Sequence, residues 1–389
     1  MAAIEQGDLA GLEPRNLARA APGRESWADE FALAECCKDP ASALASPHTW
    51  QRVELPPGAF PELDRLPLQR TLLEASPRRP YHRREQEVKS TVHWGQRKLL
   101  MSELELLTEH SSEAKLIVYA GAAPGGHLAC LCSLFPELAF EAFDPRRFHG
   151  RLQPPGGPPN LQLHQEVFTD EHARQLASRG LPMLFVSDIR TADWQKQEPE
   201  DHDACLLSDL QAQRRWVEIM RPRRSLLKFR LPYTDGVTEY LEGELRLPVW
   251  GPQTTTECRL LVTCEADGTL ATRPYDHGKL SEQLFHFNTV ARISVYPPPR
   301  ELGGGDPIED SASLLQAGLC RCFDCSRELE ILRAFLTSRR HKAPTLAALV
   351  ALSREVSRAC GRGPDGLLAA PPAPWEVETL RAAKMRRTH

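Results

Sequence analysis

The chain has 389 residues, 48 basic and 52 acidic side chains and a formal net charge of −4. That balance excludes a global basic field, so any site for nucleic acid has to be a local patch. No apolar run reaches the roughly eighteen residues of a membrane span, and residues 1–8 lack the basic and apolar regions of a leader, so a soluble intracellular protein is expected.

Residues 1–75 mix acidic, Pro and Ala residues with small apolar clusters at 27–33 and 66–73, and read as an extension with short helices. Next come Pro77, Arg78, Arg79, Pro80, Tyr81, His82, Arg83 and Arg84, four arginines around a tyrosine. Such a charge run reads first as a solvated linker. Over 95–110 the spacing of Leu99, Leu100, Leu104 and Leu107 predicts an amphipathic helix with Lys98 near its start. The run Leu116, Ile117, Val118, Tyr119 predicts a strand, followed by a turn with Gly121, Gly125 and Gly126 and a helix over 127–134. Glycine there permits tight turning and close backbone approach, and the amides opening the helix can donate to a ligand. Asp144 closes a second apolar run in the place where nucleotide-binding α/β units put an acid for ribose hydroxyls. The turn alone fits a dinucleotide or an adenosyl cofactor equally, and an ordinary strand–turn–helix as well.

Further strands are expected near 160–163, 183–187, 225–230, 257–264 and 290–295, with a helix over 203–220. Alternating strands and helices indicate a mainly parallel sheet wrapped by helices. Gly303, Gly304, Gly305, Asp306 and Pro307 mark a break, and helices are expected at 311–319 and 327–338. Residues 361–374 read as a linker and 382–387 as a basic tail. The predicted organisation is an extension (1–75), a catalytic domain (76–300), a helical segment packed on it (301–360) and a linker with tail (361–389). The eleven cysteines, odd in number, read as reduced thiols. Cys320, Cys322 and Cys325 lack a fourth ligand in zinc spacing, so no metal is expected.

Four positions invite chemistry. Asp188 ends an apolar strand, at the sheet edge where such folds place ligands. Lys228 lies inside the apolar run 225–229, where a charge needs a partner. Glu257 opens another strand, and Lys98 is the fourth. Methyl transfer from a sulfonium to a ribose hydroxyl is an in-line displacement that needs an activated alcohol. A free lysine titrates near 10.4. A second lysine and partial burial lower that value, while carboxylates orient the amines. A Lys–Asp–Lys–Glu set beyond an adenosyl-cofactor turn therefore suits a 2′-hydroxyl activator. A structural ion network is the other reading.

From about Tyr81 to Asn288 the chain resembles the poxviral cap-specific mRNA 2′-O-methyltransferases, which double as the small subunit of poly(A) polymerase, and the related trypanosomatid cap methyltransferases. The resemblance rests on seven motifs in order: Gly95–Leu100, Tyr119–His127, Asp144–Arg146, Phe168–Glu171, Ser187–Arg190, Leu227–Arg230 and Glu257–Leu261. It implies a doubly wound, mainly parallel α/β sheet of the S-adenosylmethionine-dependent, Rossmann-like methyltransferase type, with helical extensions at both ends. It implies a catalytic tetrad of Lys98, Asp188, Lys228 and Glu257, with Lys228 as base. Gln96, Tyr119, Gly121, Gly125, Asp144, Arg146, Thr169 and Asp188 would hold S-adenosylmethionine. Arg230, Thr255 and Thr256 would hold the transcript. Tyr81 and Tyr233 would sandwich the methylated guanine, with Asp235 and either Ser281 or Glu282 reading its edge. A cationic N7-methylguanine does favour electron-rich rings and nearby carboxylates.

The implied partners are capped mRNA or capped spliced-leader RNA and a poly(A) polymerase catalytic subunit, with no membrane. The extension over 1–75 and the thinning of the likeness beyond Tyr296 favour a cellular enzyme, acting in the nucleus on deeper cap-proximal nucleotides; a viral one would act in the cytoplasm. The rival functions are an RNA-binding processivity subunit of poly(A) polymerase, a ribosomal or transfer-RNA 2′-O-methyltransferase, and a nicotinamide dehydrogenase.

Overall fold

The structure is a computed structural model, and it describes residues 32–33, 53–54, 68–82, 95–191, 198–251, 255–265, 267–293, 296, 323–340 and 344–360. Arg83, Arg84, Cys320, Cys322, the helix expected at 311–319, the linker and the tail lie outside the described residues. In the extension, Ala32–Leu33 pairs antiparallel with Val53–Glu54.

An eight-stranded sheet organises the rest. Its strands in chain order are β1 (Thr71–Leu72), β2 (Leu116–Ala120), β3 (Ala139–Phe143), β4 (Leu161–His164), β5 (Met183–Ser187), β6 (Arg224–Phe229), β8 (Glu244–Arg246) and β9 (Cys258–Thr263). Between them, β7 (Val237–Leu241) pairs with β10 (Thr272–Asp276) in a separate two-stranded sheet. The order across the large sheet is β1-β8-β9-β6-β5-β2-β3-β4. Strands β4, β3, β2, β5 and β6 run parallel, and β9, β8 and β1 complete the sheet antiparallel. Every residue of β2 and β5 is buried, as expected of central strands covered on both faces.

The helices are α1 (Gly95–His110), α2 (Leu128–Leu134), α3 (Asp170–Ser178), α4 (Pro199–Met220), α5 (His277–Thr289), α6 (Phe323–Arg340) and α7 (Leu346–Ala359). Right-handed crossovers that advance in opposite directions from β2 put α2 on one face and α3 with α4 on the other. The contacts agree: α1, α2, α6 and α7 pack among themselves, and α3 packs on α4. This is the doubly wound, Rossmann-like α/β class expected. Among the described residues, no helix is long and apolar enough to cross a membrane.

Two expectations change. Thr71–Leu72, within an apolar cluster read as part of a helical extension, forms the edge strand against β8. The strand expected at 290–295 is instead a 3-10 turn, Ala291–Ile293. The alternating pattern there gives way to a buried ion pair, because Arg292 turns inward to the Asp324 carboxylate of α6.

Candidate active site

The strand order reverses between β2 and β5, which opens a crevice at their carboxyl ends. Ala120 and Ser187 are register partners there, so Gly121 and Asp188 form its two lips. The Asp188 amide donates to the Ala120 carbonyl (2.9 Å) and the Gly121 amide to Phe143 (2.9 Å). Gly121 has φ +80°, and a Cβ would stand 2.7 Å from the Ile189 nitrogen. Only glycine fits that backbone and that space. Gly125, at φ +67°, makes the second left-handed bend.

Two groups expected at the cofactor also make hydrogen bonds within the protein. Two of the amides at the start of α2 are engaged. His127 donates its amide to the Gln96 side-chain oxygen (3.2 Å), and Leu128 donates to the Gly125 carbonyl (2.8 Å). Asp144 is engaged as well: it accepts from the Ala123 amide at 3.0 Å and from the Arg146 backbone and guanidinium at 2.8–3.0 Å. It ties the turn to β3. Thr169 caps α3 through a reciprocal pair of hydrogen bonds with His172. Tyr119 is different: among the described residues its buried hydroxyl makes no hydrogen bond of ordinary geometry, with the Glu103 carboxylate in its neighbourhood. Burial, with Glu103 and Asp188 nearby, pushes its pKa well up, so it stays a neutral phenol. An orphaned hydroxyl beside a glycine turn is a feature that a polar ligand would complete.

Lys98, Asp188, Lys228 and Glu257 meet beside this crevice, although they come from α1, the end of β5, β6 and the approach to β9. Lys98 Nζ donates to Glu257 Oε1 at 2.7 Å. Lys228 Nζ lies 3.2 Å from Asp188 Oδ1 and 3.6 Å from Glu257 Oε2. A fifth member was not expected. Arg259 donates to Asp188 Oδ1 at 2.7 Å and lies 3.4 Å from Glu257 Oε1. It is the cross-strand register partner of Lys228. Like charges opposite one another in a ladder repel, and here two carboxylates bridge them. The signal was legible: Arg259 is a charge in an apolar strand, on the same face as Glu257 two residues before it, by the argument that singled out Lys228.

The cluster therefore holds three cations and two carboxylates. Burial alone would raise the Asp188 pKa, but Lys228, Arg259 and Lys98 outweigh it and hold it at about 2. The same cations keep Glu257 well below the usual carboxylate range against the same burial. Burial is the main cause that lowers the pKa of Lys98, with Glu257 opposing. A cluster one negative charge short, in a low dielectric, favours losing a proton from an amine or receiving an anion. A cleft runs from Lys228 and Glu257 past Arg190, Arg230 and His202.

Beyond the cluster the chain places the two expected rings face to face. Tyr81 and Tyr233 stack with centroids 5.6 Å apart and planes 23° apart. Phe285 meets Tyr81 edge-on at 5.6 Å, and the Arg230 guanidinium lies 4.7 Å over the Tyr233 ring. Burial raises the Tyr233 pKa, and Arg230 with Thr256 more than reverses that. Thr256 bridges the two sites, since its hydroxyl reaches the Tyr233 oxygen (3.4 Å) and its neighbour is Glu257. Thr255 accepts from the Glu257 amide (3.0 Å). Asp235 is exposed in the loop after Tyr233. Ser281 is buried, whereas Glu282 reaches out to within 3.8 Å of Arg78.

Fold and site together define a nucleotide-type α/β protein with a cationic centre and a ring pair at its ligand edge. Residues 71–297, more than half of the chain, match the family described as poly A polymerase regulatory subunit, and the chain belongs to that family. A protein of Myxoma virus (strain Lausanne) named cap-specific mRNA (nucleoside-2′-O-)-methyltransferase is 28% identical over 220 residues, 53% of this chain and 64% of that protein. A Fowlpox virus (strain NVSL) protein of the same name is 29% identical over 219 residues, 52% of this chain and 68% of that one. The chain thus spans less than two thirds of the length of its myxoma relative. Among solved structures, VP4 of bluetongue virus, described as a multifunctional RNA-capping production line, aligns with TM-score 0.36 and 13% identity over 61% of this chain and 38% of that one.

Proposed function

We propose that the protein is an S-adenosylmethionine-dependent cap 2′-O-methyltransferase. The observation that carries this is the convergence of Lys98, Asp188, Lys228 and Glu257 at the mouth of the glycine turn. The names of the curated relatives support the same reading.

The residues fit the cofactor. The Tyr119 hydroxyl, which makes no hydrogen bond of ordinary geometry among the described residues, and the glycine backbone at Gly121 support a site for an adenosyl ligand, with Asp188 beside them. Bound there, S-adenosylmethionine would supply an electrophilic methyl on sulfur. Lys228, acting as the free amine, would orient the ribose 2′-hydroxyl and take its proton as the oxygen–carbon bond forms and the methyl's bond to sulfur breaks, the thioether leaving. Asp188 and Glu257 hold Lys228 in place, and the ammonium that Lys228 becomes on taking the proton, beside Lys98 and Arg259, balances the negative charge developing on the oxygen. Charge stabilisation of this kind acts only as the transition state forms, which is what raises turnover. Tyr81 and Tyr233 supply the slot for the methylated guanine, with Asp235 two residues past Tyr233 and Glu282, whose carbonyl accepts from the Arg79 amide (3.2 Å), to read its edge. Arg230, over one ring and beside Lys228 in the cleft, sits where cap phosphates would pass.

The test is methyl transfer from labelled S-adenosylmethionine to capped and uncapped transcripts. Transfer to the capped RNA alone is expected. Equal transfer to both would sink the cap reading, and transfer to neither would sink the enzyme reading. The family description supports a second role, as a subunit that accompanies a poly(A) polymerase on its transcript. Co-purification with a polymerase catalytic subunit, and a change in its tail length, would test that role.

A further inference from the structure

The helix α6 lies outside the residues that match the family, yet it reaches the back of the active site. Asp324 and Glu328 stand one helical turn apart, so they share a face of α6. Both are buried, at 1% and 0% exposure. Glu328 accepts from Arg97 Nε and from Trp250 Nε1 (each 2.7 Å) and from the Ser353 hydroxyl (2.8 Å). Asp324 accepts from the Trp250 amide (3.0 Å) and from Arg292 (3.0 and 3.1 Å).

These partners flank the catalytic residues. Arg97 directly precedes Lys98. Trp250, a non-glycine residue at φ 57°, is in the left-handed region, which a bulky side chain occupies only when its surroundings hold it there. The two acids provide that hold, one on the backbone and one on the indole. The next residue, Gly251, packs between the Lys98 stem and Arg292, with 3.7 Å from a built Cβ to each. Arg292 in turn donates to Asn288 (3.1 Å), Asn288 donates to the Thr255 carbonyl (2.9 Å), and Thr255 receives the Glu257 amide (3.0 Å). One arm of the network thus ends on the wall of Lys98 and the other on Glu257, which are ion-paired to each other.

We propose that Asp324 and Glu328 are positioning residues for the methyl transfer, setting Lys98 and Glu257 through Trp250–Gly251 and Arg292–Asn288. The proposal rests on the methyltransferase reading of the cluster. A displacement of about 1 Å in such a site costs roughly a hundredfold in rate.

The test uses the full chain and compares Glu328→Ala, Glu328→Gln and Trp250→Phe with the wild type. Two quantities are read: kcat against KM for capped RNA, and the modification of Lys98 by an amine-reactive reagent, followed by mass spectrometry. In Glu328→Ala, kcat is expected to fall about 10- to 100-fold, with KM little changed and Lys98 labelling raised several-fold. Glu328→Gln keeps an acceptor for the indole and recovers part of the loss. Trp250→Phe removes the N–H together with the pyrrole half of the indole, keeps an aromatic ring and the Arg97–Glu328 pair, and decides the matter if the others fail to fold. Wild-type kcat and wild-type Lys98 labelling in a folded Trp250→Phe or Glu328→Gln protein would overturn the proposal. If the wild type transfers no methyl, the function fails, and the labelling comparison still decides whether α6 holds Lys98.

Discussion

Two ion clusters lie back to back in this protein, and they are built from the same side-chain types. Behind the site, Arg97 and Arg292 face Glu328 and Asp324, each at most 1% exposed, with charges matched two against two among the described residues. At the site, Lys98, Lys228 and Arg259 face Asp188 and Glu257, whose side chains are 18% and 14% exposed. Among the described residues the first cluster is neutral, and Trp250 and Ser353 donate to it as well. Taking one partner away leaves an unpaired buried charge, and so the cluster fixes a geometry. The second carries one cation too many and touches solvent. On the proposed function it is completed by something that arrives, which would make it a reactive centre rather than a brace.

Removing the reactive amine is the harshest way to break this contrast. Lys228→Ala should lower methyl incorporation by roughly 10²–10⁴-fold and leave S-adenosylmethionine binding in place, as titration calorimetry would show. Retained incorporation would turn the front cluster into a second brace. Arg259→Lys is the sharper probe. It keeps the charge but loses the planar fork that holds Asp188, so kcat should drop by about tenfold or more, whereas a mere charge requirement predicts no change. Tyr233→Ala leaves both clusters alone and removes one stacking face. Affinity for cap analogue should weaken by about 1–3 kcal/mol, and the preference for capped over uncapped RNA should shrink with it.

The mildest probe is acid. The folded-state pKa of Asp188 lies below its unfolded value, at about 2, and that of Glu257 is also depressed. Their contribution to stability is fully present above the ordinary carboxylate range and is lost as pH falls toward the folded value. The melting temperature should therefore decline between about pH 4 and pH 2. It should decline less in Lys228→Met, where part of the cause of the depression is gone.

Much of this was legible because apolar runs report buried parallel strands, and the strands β2, β3, β5, β6 and β9 fell where the runs did. Lys228 was conspicuous as a charge in such a run. The short antiparallel strands β7, β8 and β10 were not foreseen, since Glu239, Glu244 and Arg273 interrupt any alternation and packing alone selects them. The brace was illegible for a different reason. Arg97 and Glu328 are 231 positions apart, and nothing local marks a helical glutamate as buried. Trp250 gave no sign either, because its left-handed backbone is imposed by Asp324 and Glu328. Arg259 could have been found and was passed over.

The contact between Tyr81 and Tyr233 carries a consequence of its own. A flat base seated between two rings needs them roughly 7 Å apart, twice the ordinary carbon–carbon contact distance. At 5.6 Å they are closer than that. The slot is its own competitor: a guest must first displace one tyrosine from the other. If the pair takes the cap as proposed, a neutral guanine would offer little more than the ring it replaces, whereas a positively charged one would gain on both faces, so the closed pair would filter for charge before any edge is read.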